Sequence, residues 1–244
     1  MSLMALSRRQ KIALIPIVFY WPVIFIATHI PRFPSWTAGV HVSDKFVHFF
    51  MYLILAFFLW FAVNPGVRVN WRKAAVWWVL VVVVWYGVVD EWLQVYVGRN
   101  CDVRDFLADT VGAVTGLVLL WIFPFWPATV AMTGTIIFVL TNFIYVQFVI
   151  EMPAVSTVFH LCAYAFFPMV WIRCMEGILP LSPPQSRWFV GALTLPLMFL
   201  AVVESFSAVA GNGVRLLDVA VSVAAILVVV GLFGVKSLLR GRFI

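Results

Sequence analysis

Long apolar runs separated by short polar connectors fill this chain almost from end to end. Eight runs stand out, at about 12–28, 46–63, 74–90, 106–123, 128–150, 157–172, 188–203 and 216–233. Each approaches the roughly 20 residues that a helix needs to cross the hydrocarbon core of a bilayer. The strongest breakers fall between the runs: Pro31 and Pro34, Asn64-Pro65-Gly66, Pro124 and Pro127, Pro153, Pro180 with Pro183-Pro184, and Gly211-Asn212-Gly213. Pro16, Pro22, Pro168 and Pro196 lie inside runs, which membrane helices tolerate when neighbours satisfy the freed carbonyl. The pattern predicts an all-α polytopic membrane protein of about eight transmembrane helices.

Composition strengthens this reading. Of 244 residues, 64% are hydrophobic and only 11% charged. A soluble fold of this size has too little interior to hide that much apolar surface. The formal charge of +6 raises the question of nucleic acid. The basic residues, however, sit singly or in small groups at the ends of runs and form no stripe, so no nucleic-acid partner is expected. Cys101, Cys162 and Cys174 form no CxxC or Cys/His pattern and no disulfide framework. Cys162 reads as a small packing residue. Arg8, Arg9 and Lys11 precede the first run as in a signal peptide, but the run is long and aromatic and no small-residue cleavage site follows, so it reads as a retained helix.

Lysine and arginine placement sets the expected orientation. With the N-terminus in the cytoplasm, the inner segments hold Arg8, Arg9, Lys11, Arg68, Arg72, Lys73, Arg173, Arg187, Lys236, Arg240 and Arg242, eleven of the 16 basic residues. The outer segments hold Arg32, Lys45, Arg99, Arg104 and Arg215, with all four histidines and every carboxylate except Glu176. An even number of spans returns the C-terminus to the cytoplasm as well.

Polar positions recur along the chain. His48 and Tyr52 stand four apart, as do His160 and Tyr164. His48 to Glu91 is 43 residues and His160 to Glu204 is 44; Glu91 to Asp105 and Glu204 to Asp218 are both 14. Gly98 aligns with Gly211 in the same frame. This predicts two tandem four-helix repeats, 1–124 and 125–244, entering the membrane in parallel orientation. The second copy is stripped: Ser156 stands for Asp44, Ser207 for Gln94, Asn212 for Arg99, Ser222 for Asp109 and Ala225 for Gly112. Any chemical activity is therefore expected in the first half.

The candidate site follows from helical spacing. Asp44, His48 and Tyr52 share one face of the second helix. The third helix ends in Asp90-Glu91, with Gln94 a turn on, and a connector carrying Gly98 and Arg99 follows. The fourth opens with Asp105, then Asp109, Gly112 and Gly116 along one stripe. Asp105 near a helix start suits the macrodipole, and the GxxxG pair permits close helix approach. These stripes are expected to meet near the outer boundary. Ionisable groups in a membrane persist when they pair or face water. Glu91, Asp105, Arg99 and His48 would suffice as a self-neutralising network that only holds helices together. The functional reading is an outward polar pocket for a headgroup, with ligand-binding residues Asp44, His48, Tyr52, Glu91, Gln94, Arg99, Asp105 and Asp109. Arg99 and His48 would contact phosphate or carboxylate, and His48 with Glu91 are the candidates for acid–base work. Metal binding by His48, Glu91 and Asp105 is chemically allowed, but their spacing matches no recognised ligand motif, so neither metal nor cofactor is expected.

Bland readings suit the rest. Trp71, Trp77, Trp78, Trp92, Trp121, Trp126 and Trp188 read as interfacial anchors. Val79 to Val84 reads as a lipid-facing or packing run, and the C-terminal basic residues as topology signals. His29, His41 and Glu151 read as solvated.

Asp44-Lys45-Phe46-Val47-His48-Phe49-Phe50-Met51-Tyr52 resembles the first signature of the VanZ-like membrane protein family. Asp90-Glu91-Trp92-Leu93-Gln94, Gly98-Arg99 and Asp105-Phe106-Leu107-Ala108-Asp109-Thr110-Val111-Gly112 resemble its second. The resemblance covers about residues 10–124. One departure is Asp109, where the family usually has asparagine; it adds a carboxylate. The namesake of the family is associated with low-level resistance to the glycopeptide teicoplanin. The resemblance thus implies a bacterial cell-envelope role in the cytoplasmic membrane and no known reaction.

Three functions compete. The first is binding of a lipid-linked cell-wall precursor, another wall-related ligand or the glycopeptide itself at the outer pocket, among membrane lipids. The second is an enzyme acting on lipid headgroups at the outer leaflet, with His48 and Glu91 as acid and base and Arg99 on phosphate. The third is a lipid transporter or flippase. Transport calls for polar groups on both sides of the midplane, and nearly all lie on one side here.

Overall fold

The computed structural model describes residues 8–29, 44–98, 101–144, 153–181, 183 and 185–241. Arg99, His41 and Glu151 lie outside the described residues, as does the side chain of Asp44. Among the described residues the chain is all helical: α1 (Arg8–Thr28), α2 (Asp44–Val63), α3 (Ala74–Gln94), α4 (Val103–Ile122), α5 (Phe125–Val139), α6 (Pro153–Ile178), α7 (Ser186–Val209) and α8 (Leu216–Gly241). A 3₁₀ turn, Val95–Val97, extends α3, and a π turn, Leu140–Ile144, extends α5.

Seven of these helices, α2 to α8, are long and apolar enough to cross a membrane. The first predicted span, α1, does not qualify by the same measure: its apolar stretch is the shorter Leu14–Ile26. The basic residues of its first turns and Pro16 and Pro22 dilute it. Its 21 residues still reach about 32 Å at 1.5 Å per residue.

The chain divides into two compact units, Met1–Phe125 and Trp126–Ile244. In the first, α2 packs most extensively on α4, with α1 against α2 and α3 against α4. Gly112 and Gly116 explain that pairing. A Cβ at Gly112 would run into the carbonyl of Phe49, and one at Gly116 would stand 2.6 Å from the carbonyl oxygen of Leu53. Only hydrogen at these positions lets the two backbones touch. Trp60, Tyr52, Phe57, Leu55, Leu117 and Leu120 fill the interior. In the second unit α6 packs mainly on α8, with α7 against both. Its core holds Tyr164, Phe167, Ile172, Met175, Trp188 and Ile226.

Two readings of single residues are corrected. Trp188 is fully buried rather than an interfacial anchor; it lies in the first turn of α7, where the packing of α6 and α8 encloses it. Trp77, Trp78, Trp92 and Trp121 are well exposed, as anchors are. Cys162 is exposed on α6 rather than packed inside, whereas Cys174 is buried.

Candidate functional site

The polar residues of the first unit gather at one end, where α1 and α3 finish and α2 and α4 begin. Antiparallel neighbours produce this directly: last turns meet first turns. Gly98 closes the α3 extension in the left-handed region, at φ +78°, and so turns the chain toward α4. Asp102 then caps α4. Its Oδ1 accepts the Arg104 backbone N–H at 2.9 Å, and its own N–H donates to Glu91 Oε2 at 3.0 Å. One aspartate thus starts α4 and ties it to the end of α3.

Lys45, in the first turn of α2, donates to Asp102 Oδ2 at 3.3 Å and to Asp105 Oδ1 at 3.0 Å. One helical turn deeper, His48 Nδ1 lies 2.9 Å from Asp109 Oδ1, with both side chains 1% exposed. With the carboxylate as acceptor, the ring proton sits on Nδ1. Deeper still, Tyr52 is fully buried and stacks on Tyr86 at 5.9 Å between ring centroids. Gly87 makes room for these groups: a Cβ there would stand 3.2 Å from Asp109 Oδ2 and 3.4 Å from the Tyr52 ring.

A second branch runs through Asp90, which is fully buried. Thr28 donates to its Oδ1 at 2.9 Å and Gln94 Nε2 to its Oδ2 at 3.2 Å. His29 is not solvated, contrary to expectation. Its ring stacks on Phe25 with centroids 4.1 Å apart, its Nδ1 lies 2.9 Å from the Phe25 carbonyl and 3.6 Å from Asp90 Oδ1, and its side chain is 9% exposed. As the residue directly after α1, it is delivered to the end of α3.

Of the expected site residues, His48, Tyr52, Glu91, Gln94, Asp105 and Asp109 therefore lie buried at one end of the bundle. Lys45, Thr28, His29, Asp90 and Asp102 join them, although none of these is among the expected ligand-binding residues. Lys45 enters the sequence reading only as an outer basic residue and as part of the first signature, and the Thr28–Asp90 pairing spans 62 residues with no local spacing to reveal it. Ligand atoms of His48, Glu91 and Asp105 lie within 4.8 Å of one another. Several buried atoms here make no hydrogen bond: Glu91 Oε1, Asp109 Oδ2 and the Tyr52 hydroxyl. Buried polar atoms are nearly always paired, so these three have hydrogen-bonding capacity left over.

Beside Glu91 opens an apolar groove of about 280 Å³ between α3 and α4, lined by Val88, Glu91, Trp92, Val95, Cys101, Val103 and Phe106. Trp92, Val95 and Val103 are strongly exposed along it.

The second unit also carries a polar cluster, built differently. Asp218, at the start of α8, accepts from Ser156 at 2.7 Å, Thr157 at 2.6 Å and Arg215 at 3.2 Å. His160 Nδ1 donates to the Ser156 carbonyl at 2.9 Å, and its Nε2 lies 3.6 Å from Glu204 Oε1. The space among them is only about 20 Å³, room for about one water.

The VanZ/LLP1 family model matches residues 2–124. No curated protein and no solved structure matches the chain. The match covers half the sequence and contains every residue of the first polar cluster, so the chain belongs to the VanZ/LLP1 family.

Proposed function

We propose that the first unit binds the polar head of a lipid-linked, wall-related molecule at the non-cytoplasmic face of a bacterial cytoplasmic membrane, and that this binding lowers susceptibility to glycopeptides such as teicoplanin. The observation that carries the reading is the meeting of two environments at Glu91. Its carboxylate belongs at once to the buried polar cluster and to the apolar groove. A ligand with an apolar chain and a polar head needs that adjacency: the groove takes the chain, and the cluster takes the head. Glu91 Oε1 and Asp109 Oδ2 are acceptors awaiting donors, which suits the hydroxyl or ammonium groups of a carbohydrate or amino-acid head. With the N-terminus inside, α1 spans as well, and both termini are cytoplasmic.

The second unit is, in the same proposal, a degenerate copy of the first in parallel orientation. Three likenesses support this. In each unit the helix bearing the histidine packs mainly on the helix whose first turn carries Asp105 or Asp218. Gly98 and Gly211 share the same left-handed backbone. Asp218, like Asp105, lies in the first turn of its helix. The Ser156, Thr157 and Arg215 bonds saturate Asp218 and leave little space, in keeping with loss of a site.

A second reading is favoured by one contact. Asp109 holds His48 as a carboxylate holds a general base, and Glu91 stands close by. This suits an enzyme acting on lipid headgroups.

The binding reading is tested with purified protein in lipid nanodiscs and added undecaprenyl phosphate or its disaccharide-peptide conjugate. Saturable binding of the disaccharide-peptide conjugate, whose hydroxyl and ammonium groups can donate to Glu91, is expected, with roughly tenfold or greater weakening in Glu91→Gln, since a charge-assisted contact is lost, and in Val95→Asp, which charges the groove. Binding indifferent to both changes contradicts the site. Turnover of either lipid that is abolished in Glu91→Gln would favour the enzymatic reading.

A further inference from the structure

We infer that His48, Glu91 and Asp105 form a site for a single divalent cation, of the manganese or zinc type. This deepens the reading of the same pocket, because it supplies the positive charge that a phosphate-bearing head needs there.

The donor set is the first argument. One imidazole and two carboxylates, from α2, α3 and α4 in turn, bring ligand atoms within 4.8 Å of one another, and all three residues are buried. A bound cation with ligand bonds of about 2.0–2.2 Å sets neighbouring donors about 3 Å apart, so small side-chain movements close the set. The imidazole suits zinc and the two carboxylates suit manganese, whereas a nitrogen ligand disfavours magnesium and calcium, which prefer oxygen alone.

An unsatisfied ligand atom is the second argument, and it is independent of the spacing. Glu91 is 3% exposed; its Oε2 takes the Asp102 N–H, and its Oε1 is buried with no hydrogen-bond partner. A buried carboxylate oxygen left this way costs stability unless something positive meets it.

Orientation of the imidazole is the third. Asp109 engages His48 Nδ1 at 2.9 Å, which makes Nε2 the ligating nitrogen. A carboxylate on the far nitrogen of a ligating histidine is the usual way that a metal site fixes the ring and raises its basicity. The charge count agrees. Among the described residues the cluster holds Asp90, Glu91, Asp102, Asp105 and Asp109 against the single ammonium of Lys45. Such an acidic pocket repels phosphate until a cation sits in it. Lys45 bonds Asp105 Oδ1 and so competes with the ion for that ligand.

The test uses full-length protein in detergent micelles, stripped with a chelator and titrated with Mn²⁺. Free Mn²⁺ is read by electron paramagnetic resonance, and thermal melting checks that each variant is folded. One Mn²⁺ per chain is expected, displaced by Zn²⁺ more readily than by Ca²⁺ or Mg²⁺. Glu91→Gln and Asp105→Asn should weaken binding by more than roughly tenfold, Asp109→Asn by about tenfold, and Lys45→Met should tighten it. No saturable binding, or binding unchanged in folded Glu91→Gln and Asp105→Asn, overturns the site. Binding of undecaprenyl phosphate that survives chelation undiminished overturns the cation's part in holding the phosphate while leaving the lipid reading intact. Mn²⁺ binding with no lipid binding upholds the cation and removes the lipid.

Discussion

Asp102 joins three parts of the site through one residue: it caps α4, donates its N–H to Glu91 and pairs with Lys45. The Arg104 N–H, and after it Lys45, hold its carboxyl below the ordinary aspartate range. A carboxyl whose folded value is depressed stabilises the fold at pH above its unfolded value, about 3.9, and that stabilisation is lost as pH falls through the lower folded value. The melting-temperature difference between wild type and Asp102→Asn should thus be constant from pH 6 to 8 and vanish in strong acid. Asparagine still caps a helix, so this variant isolates the charge, while Asp102→Ala should melt lower still. A difference that grows as pH falls would contradict the assignment. Asp102 does not stand out in the sequence, because a charge in a short connector between apolar runs looks solvated. His48, Tyr52, Asp105 and Asp109 were legible, because a period of four places them on single helix faces. Trp188 and His29 were misjudged for a shared reason: burial at a helix end depends on which neighbour arrives there.

Among the helices, the α2–α4 pair sets the geometry of the site. His48 and Asp109 meet only because these backbones touch at Gly112 and Gly116. Gly112→Ala should force them apart and lower stability by about 1–3 kcal/mol, the usual cost of overpacking. Its melting temperature should fall and its Mn²⁺ binding weaken, although no ligand is altered; unchanged values for both would show that the contact is not needed. The helices themselves were readable from hydropathy, and the close pairing from GxxxG. Their ends were less so: α6 runs from Pro153 to Ile178, well beyond the apolar core at 157–172, and α5 gives way to a π turn at Leu140. Arg173 and Glu176 continue α6 as an exposed ion pair, so the helix outlasts its hydrophobic signal.

For the whole molecule the deciding property is sidedness. A multi-pass chain with its acidic cluster at one end of the first unit serves the cell wall only if that end faces away from the cytosol. Cys101 reports on this directly. It is exposed, lines the groove beside Glu91, and lies in the connector between α3 and α4. Loss of hydration, then the charge of Glu91, raises its thiol pKa, so labelling belongs at mildly alkaline pH, where enough thiolate forms. In a chain with Cys162 and Cys174 replaced by serine, a membrane-impermeant maleimide applied to sealed right-side-out vesicles should modify Cys101 without permeabilisation. Modification only after the vesicles are opened would put the cluster in the cytosol and contradict a role at the wall.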